Sequence, residues 1–561
     1  MEIARRVVPD TAEALARAGL PPVLARIYAA RGIAEASELE HSLARLPGFT
    51  SFRGMAAAAK RLGQAIERDE RLLIVGDYDA DGATASAVAV LGLRSMGARV
   101  DFLVPNRFEY GYGLTPEIVA LAATREPDIL ITVDNGIASV DGVAAAHGLG
   151  IEVIITDHHL PGERLPEPAL IVNPNQRGCE FPSKNLAGVG VMFYLLLALR
   201  ALLREQGSFR DRPEPRLVEL LDLVALGTVA DVVRLDHVNR ILVDQGLRRI
   251  RAGKMRPGIR ALFHVARRDP RRASAYELGF VAGPRLNAAG RLADMTLGIQ
   301  CLLEDDELRA AELARALDDL NRERRSVEAT MQDEALLALD DLAQPDAFTV
   351  CLFRPEWHQG VVGIVASRLK DRFHRPAIIF ARGKDGELRG SGRGIAGFHL
   401  RDALDLVSKR TPGSILRFGG HAFAAGLSLR ESTLEAFMHS FEAVAREQLS
   451  PAMLRQRMET DGPLPPELAT LAFAREIGEQ VWGQGFPAPS FDDDFEVIEE
   501  RVVGEKHVRL SLRRDHKRFD AIAFNHPPGF PAHVRLAYRL EVEEYQGLAA
   551  LQLVVEHWRP A

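Results

Sequence analysis

The sequence predicts an α/β protein: a parallel-sheet domain joined by one long helix to a second α/β domain, with a small β-barrel of the OB type at the C-terminus. Three observations predict it. Short β-branched runs alternate with alanine-rich stretches from about residue 55, residues 304–342 contain neither Gly nor Pro, and five strand-like runs crowd the chain after Pro463, Pro465 and Pro466. Strand and helix alternating at this spacing imply parallel strands covered on both faces.

Taken in order, residues 1–50 read as short amphipathic helices broken by Pro21, Pro22 and Gly32, an N-terminal extension rather than a separate domain. In the first α/β domain, 51–300, the strand runs are LLIV (72–75), VDFLV (100–104), ILITV (129–133), EVIIT (152–156) and LIVN (170–173). Helical patterns fall between them near 56–67, 83–97, 116–123 and 139–148, and the stretch from 186 to 300 is mostly helical. The connecting helix, 301–345, opens on Glu304, Asp305, Asp306 and Glu307, acids suited to the positive end of a helix dipole. At 1.5 Å per residue it spans about 50 Å, enough to space two domains. The second α/β domain occupies 346–447. The strands of 448–561 fit a small barrel, which periodicity alone does not distinguish from other small barrels.

Composition narrows the function. Of 561 residues, 70 are basic and 77 acidic, a net charge of -7 that excludes a uniformly basic nucleic-acid coat while leaving room for local basic surfaces. Three cysteines, Cys179, Cys301 and Cys351, lie far apart, which excludes a zinc ribbon and a disulfide framework and suits a reducing compartment. The N-terminus lacks the apolar core of a signal peptide, and the longest uncharged apolar stretch, 186–199, is shorter than the ~18 residues a membrane span requires. A soluble cytoplasmic protein without membrane contact is expected.

The chemistry lies where acids follow strands. Asp77, Asp79 and Asp81 follow the first run in DYDADG, Asp134 follows the third in DNG, and Asp157, His158 and His159 follow the fourth. In an open parallel sheet the carboxyl ends of the strands share one ligand-binding edge, so these side chains converge. Asp231 follows another apolar run, LVALGTVADVV. Taken singly, a DxD or DN after a strand is a common turn or helix cap. Jointly they imply cations, because carboxylates do not crowd a partly dry crevice without compensating charge. Oxygen ligands with one or two imidazoles fit Mn²⁺ or Mg²⁺, and their number suggests two ions about 3.5–4 Å apart. Such a pair activates water and stabilises phosphoryl charge, so phosphoester hydrolysis is the expected reaction.

DYDADG, VDNG, TDHH and GTVAD, in this order, resemble the DHH phosphoesterase superfamily. FGGHAFAAG (418–426) resembles the glycine-rich motif of its DHHA1 domain, and NRFEYGYGLT (106–115), GPRLNAAGRL (283–292) and RGSGRGIAGFHL (389–400) resemble the RecJ family of bacterial single-stranded-DNA exonucleases. The resemblance covers about 50–560 and implies a DHH domain, a DHHA1 domain and an OB-fold DNA-binding domain. It implies 5′-to-3′ hydrolysis of single-stranded DNA to 5′-mononucleotides in DNA repair and recombination, with a helicase and a single-strand-binding protein as partners. One ion would take Asp77, Asp79 and Asp134, the other Asp81, Asp134, His158 and Asp231. Pyrophosphatase-like relatives carry a His where this chain has Val75, so Asp77 takes that ligand role.

The resemblance also places Asp157 and His159 beside the metals as transition-state or supporting groups. His421, Gly419 and Gly420 are placed at the scissile phosphate or leaving nucleotide; read alone, that motif is a turn opening an alanine-rich helix. Ser391 and Arg393, with Arg285 and Asn287, would receive the 5′-terminal phosphate; Gly394 stands where many relatives have Ser, so no hydroxyl contact is assigned there. Read chemically, an Arg fork and a hydroxyl on a glycine-rich loop suit a phosphate. Tyr112, Tyr110, Tyr545 and Trp558 are candidates for base stacking against a default of buried aromatics. Residues 240–272 carry eleven Lys or Arg against two acids, a candidate phosphate-backbone contact, and Arg509, Arg513, Arg514, Lys517 and Arg518 mark the barrel. A cleft between the α/β domains too narrow for a duplex would select single strands. The alternatives are a phosphodiesterase of oligoribonucleotides or cyclic dinucleotides, and a non-catalytic DNA-binding scaffold.

Overall fold

The computed structural model describes residues 1–105, 110, 112–342, 346–383, 386–504, 506–545 and 548–561, without the side chains of 338–342 and 545. Most of the first half of NRFEYGYGLT and the side chain of Tyr545 therefore lie outside the described residues. The chain divides into two units: Arg5–Asn321 with Thr460–Ala561, and Met1–Ala4 with Arg322–Glu459.

The first unit is built on five parallel strands, β1 (Arg71–Gly76), β2 (Arg99–Leu103), β3 (Ile129–Val133), β4 (Glu152–Thr156) and β5 (Leu170–Val172), in the order β2-β1-β3-β4-β5. The central runs are apolar throughout because helices cover both faces. Helices α1 (Met55–Glu67), α2 (Ala80–Ser95), α3 (Pro116–Ala123) and α4 (Val140–Gly148) follow the sequence pattern closely. Register decides the chemistry. Gly76 pairs with Val133, Val133 with Thr156 and Thr156 with Val172, so the next residues, Asp77, Asp134, Asp157 and Asn173, emerge at one level along the carboxyl edge.

Helix α2 is buried along nearly its whole length and is made largely of Ala and Gly. It lies against α5 (Gly188–Glu205) and α6 (Leu221–Ala230), where a Cβ on Gly92 would stand 2.3 Å from Leu196. Next come α7 (His237–Arg251), a π-helical turn (Glu277–Ala282) and α8 (Gly283–Leu292). The long helix α9 runs from Glu307 to Leu342. It starts three residues later than the acidic cluster because those acids cap it: Asp306 accepts from Arg309 N at 2.8 Å and Glu304 from Asp305 N and Asp306 N at 3.0 Å.

The second unit contains a mixed sheet of β6 (Val350–Phe353), β7 (Ala377–Arg382), β8 (Glu387–Arg393), β9 (Arg417–Gly420) and β10 (Ala424–Arg430), in the order β9-β10-β8-β7-β6. Only β6 and β7 are parallel. Helix α10 (Val362–Phe373) covers one face; α11 (Leu400–Arg410) and α12 (Leu434–Gln448) pack together in a separate core cluster.

Five strands close the C-terminal barrel: β11 (Phe491–Val503), β12 (His507–Arg514), β13 (Lys517–Ala523), β14 (His533–Tyr545) and β15 (Leu548–Pro560), ordered β11-β12-β13-β15-β14. The parallel β13–β15 pair and closure of β11 on β14 give the OB topology that periodicity left open. The N-terminal segment is part of this unit's core. Arg31 makes a buried two-pronged ion pair with Asp461 at 2.7 and 2.9 Å, and Tyr28 stacks on Trp482. No helix among the described residues is long and apolar enough to cross a membrane.

Candidate metal centre

The strand-end acids are positioned by their own turns. Asp77 Oδ1 accepts from Tyr78 N at 2.7 Å, and Asp79 Oδ1 caps α2 by accepting from Asp81 N and Gly82 N at 3.0 Å. The helix cap and the metal-ligand assignment are thus compatible, since the cap uses one oxygen of Asp79. Asp134 leaves β3 with φ at 63°, a left-handed conformation that a non-glycine residue adopts only where its surroundings enforce it. The enforcement comes from Asn135, whose amide donates to Val75 O and Val133 O, and from Thr132, which donates to Asn135 O at 2.7 Å.

Three sets of ligand atoms lie within 4.8 Å of one another: Asp77, Asp79 and Asp134; Asp81, His158 and Asp231; and Asp134, His158 and His159. The first two match the two predicted ligand groups, with Asp134 adjoining both. Asp134 Oδ1 is buried, has no hydrogen-bond partner, and lies 3.1 Å from His158 Nε2, which is 3.5 Å from Asp231 Oδ2. Lone pairs facing a shared point without a donor are what a cation site requires.

The electrostatics agree. Burial, then the charges of Asp81, Asp79, Asp231 and Asp77, push the Asp134 carboxyl well above the usual range. Burial and the charges of Asp81, Asp79, Asp77 and Asp157 do the same to Asp231, while burial and Asp79 push Asp81 up to about 7. Asp231 stands at the C-terminus of α6, where the helix dipole disfavours a carboxylate, so its negative charge also calls for a cation. Asp81 is placed oppositely. Its oxygens accept from Gly188 N at 2.6 Å and Val189 N at 2.9 Å, at the favourable amino end of α5.

Asp157, read from the sequence as a transition-state or supporting group, has both carboxylate oxygens engaged by neighbouring groups. Oδ1 accepts from His158 N, His159 N and His159 Nδ1, and Oδ2 from Ile137 N at 2.8 Å, so it is a buried anchor for the His158–His159 turn. Burial alone would raise its pKa, but the hydrogen bond and charge of His159 hold it below the usual range. Reciprocally, burial opposes the charge on His159, yet Asp157 outweighs it and lifts the imidazole to about 9. Tyr112 OH lies 3.3 Å from both His159 ring nitrogens, and its half-exposed ring meets Tyr78 edge-on.

Supporting residues absent from the predicted site complete the centre. Asn173, at the end of β5, donates to His159 O at 2.9 Å, and Asn175 donates to His158 O at 2.6 Å. Gly188 is required by close approach, since a Cβ there would stand 2.6 Å from Asp134 Oδ1. The LIVN ending and the AGVGV helix start carried these signals.

A curated protein of Dickeya dadantii, the single-stranded-DNA-specific exonuclease RecJ, is 51% identical over 98% of this chain and 98% of its own length. The chain belongs to the RecJ family. The DHH family N-terminal domain matches residues 71–228, the DHHA1 domain 346–447 and the RecJ OB domain 460–557. Thermus thermophilus RecJ in complex with Mn²⁺ superposes with a TM-score of 0.84 at 31% identity, covering all of this chain and 80% of that one. Its Mg²⁺ complex gives 0.78 at 30% identity, covering 100% and 78%.

Other predicted RecJ contacts are distributed differently. Asn287 Oδ1 accepts from Ala80 N at 2.8 Å and braces the metal loop. Arg285 is buried and pairs with Asp318, at 2.8 and 2.9 Å, while donating to Val281 O. Ser391 and Arg393 lie on strand β8, not on a loop; Arg393 donates to Ser391 Oγ at 3.1 Å. Gly363, at the start of α10, is so close that a Cβ would stand 2.9 Å from Ser391 Oγ and 3.0 Å from Arg393 Nη2. The WHQGVVG segment (357–363) that makes this approach was missing from the predicted site. Gly419 ends a β9–β10 hairpin with Gly420 and exposed His421, so FGGHAFAAG opens a strand and not a helix. Gly420 has φ at 138°, and Ala424, beyond the turn, pairs with Arg393.

The basic segment is divided between residues engaged by the fold and residues exposed on its surface. Arg240 is buried against Phe486, Arg248 pairs with Asp244, Arg251 donates to Ala273 O, Arg256 to Leu303 O, and Arg260 and Arg272 pair with Glu307 and Glu544. The exposed Arg267 and Arg268 have no ion-pair partner among the described residues. Trp558 is half-buried, donating to His526 and packing on Phe530.

Proposed function

We propose that this chain is a divalent-metal-dependent exonuclease that hydrolyses single-stranded DNA from its 5′ end to 5′-mononucleotides. The observation that carries the reading is the pair of ligand sets meeting at Asp134 in a chain of the RecJ family. Asp77, Asp79 and Asp134 would hold one cation, and Asp81, His158 and Asp231, with Asp134, the other. When bound, Mn²⁺ or Mg²⁺ supplies the polarised water and the positive charge that phosphodiester hydrolysis requires.

The chain's own residues do the rest. Asp157 orients His159 and keeps it protonated near neutral pH, so its Nε2–H faces developing charge on a phosphate or leaving oxygen. Tyr112 holds the other side of that ring. Polarity follows from Arg393. Burial lowers its pKa, no carboxylate among the described residues neutralises it, and it lies beside the amino end of α10 with Ser391. Such a guanidinium favours a terminal phosphate dianion. His421, Gly419 and Gly420 occupy the neighbouring hairpin and suit the leaving nucleotide. An enzyme restricted to unpaired strands works downstream of a helicase, with single-strand-binding protein keeping its substrate open.

The test is a 5′-labelled 30-mer with Mn²⁺. Labelled mononucleotide appears first, chelation abolishes it, and blunt duplex survives; equal loss of duplex and single strand overturns the reading.

A further inference from the structure

Two large aromatic side chains stand exposed on the unit that carries the metal centre. Tyr276 and Phe280 are 53% and 66% exposed, and their rings stack on each other at 5.0 Å and 24°. Tyr276 caps and Phe280 lies within the π-helical turn Glu277–Ala282, a geometry that is rare and tends to occur at functional sites. Neither ring fills the core. The inward side of the turn is occupied instead by Leu278, Val281 and Ala282, and Gly279 and Gly283 allow close approach to Val229 and Ala230, the residues just before Asp231. The turn runs directly into α8, whose Asn287 braces Ala80 and whose Gly290 lies against Tyr78 O. On its other side Glu277 is near enough to Glu541 on β14 for their charges to repel, and Arg272 pairs with Glu544 of the same strand. The rings therefore stand where the helices around Asp231 meet the barrel.

We propose that Tyr276 and Phe280 form a stacking platform for nucleobases of the strand passing between the barrel and the metal centre. The proposal rests on the nuclease reading for its ligand and adds a positioning site to it. A flat aromatic pair facing solvent accepts any base on its π-face, which suits an enzyme that must read no sequence. Charge favours the same occupant: Arg267 and Arg268, on the preceding loop, are exposed and have no carboxylate partner among the described residues, so a polyanion gains counter-charge there. A protein partner would be expected to bring acids instead.

The full-length protein is tested by fluorescence anisotropy with labelled dT20, with and without Mn²⁺, and by hydrolysis of 5′-phosphorylated strands carrying one abasic site at successive positions. Phe280→Ala weakens dT20 binding by about tenfold, and Phe280→Trp restores it. In the wild type an abasic site at one or two adjacent positions internal to the strand raises KM, and Phe280→Ala removes that dependence. Unchanged dT20 affinity and an unchanged abasic profile in Phe280→Ala overturn the platform and leave the rings to a protein partner. A wild type that binds dT20 through these rings yet hydrolyses nothing overturns the nuclease reading and leaves the platform standing.

Discussion

The side-chain oxygen of Asn287 accepts the amide hydrogen of Ala80 at 2.8 Å, linking α8 to the loop that carries Asp77, Asp79 and Asp81. Three residues on, Gly290 lies so near Tyr78 O that a Cβ would stand 1.8 Å away. GPRLNAAGRL is therefore a brace for the metal loop. Asn287→Ala leaves Ala80 N–H without its acceptor, and Gly290→Ala displaces the loop. We expect Asn287→Ala to lose about 1–2 kcal/mol of stability and Gly290→Ala to weaken Mn²⁺ binding at least tenfold, read by thermal unfolding and by metal titration.

Asp134 is held unfavourably in the metal-free protein, because burial and four neighbouring carboxylates oppose its charge. Asp134→Asn should abolish hydrolysis while raising the melting temperature of the metal-free protein. A variant that keeps wild-type turnover in Mn²⁺ would show that Asp134 does not bridge the ions.

Asp81, Asp134 and Asp231 have folded pKa values raised above the ordinary carboxylate value, Asp81 to about 7. In that window the folded state binds more protons than the unfolded state, so metal-free stability falls as pH rises from about 4 through 7. Calorimetry should show a lower melting temperature at pH 8 than at pH 5.5 in chelator. Added Mn²⁺ should raise it more at pH 8, where no protons need be displaced.

Asp157 holds His159 protonated up to about pH 9. Asp157→Asn removes the acceptor and charge, so the pKa of His159 falls and the alkaline limb of the kcat profile moves to lower pH. A limb that stays in place would assign it to another group.

Arg393→Ala should raise KM about tenfold or more for 5′-phosphorylated strands and little for 5′-hydroxyl ends, since it removes a guanidinium contact to a dianion. Equal effects on both ends would remove Arg393 from the terminal phosphate.

The strand-end acids were legible because each Asp directly follows an apolar run, and parallel register then leaves little freedom in where it emerges. Asp231 was legible as a ligand candidate by order and motif, but its place at a helix C-terminus was not. The LIVN ending and the AGVGV helix start mark Asn173 and Gly188 as candidates, but that Gly188 and Val189 donate to Asp81, and Asn173 and Asn175 to the His158–His159 turn, depends on how distant segments pack. Around 240–272 a count of basic residues does not separate Arg240, Arg251 and Arg256, which donate to backbone carbonyls, from Arg267 and Arg268, which stay exposed. The pairing of Arg285 with Asp318, on the next but one helix, was equally invisible to local pattern. The barrel's strands were readable by alternation, its OB topology only from pairing.

The most direct measurement is anomalous scattering at the manganese edge from crystals soaked in Mn²⁺. The account predicts two peaks about 3.5–4 Å apart, one within ligand distance of Asp77 and Asp79, the other of Asp81, His158 and Asp231, with Asp134 touching both. A single peak, or two peaks that share no Asp134 oxygen, would contradict it.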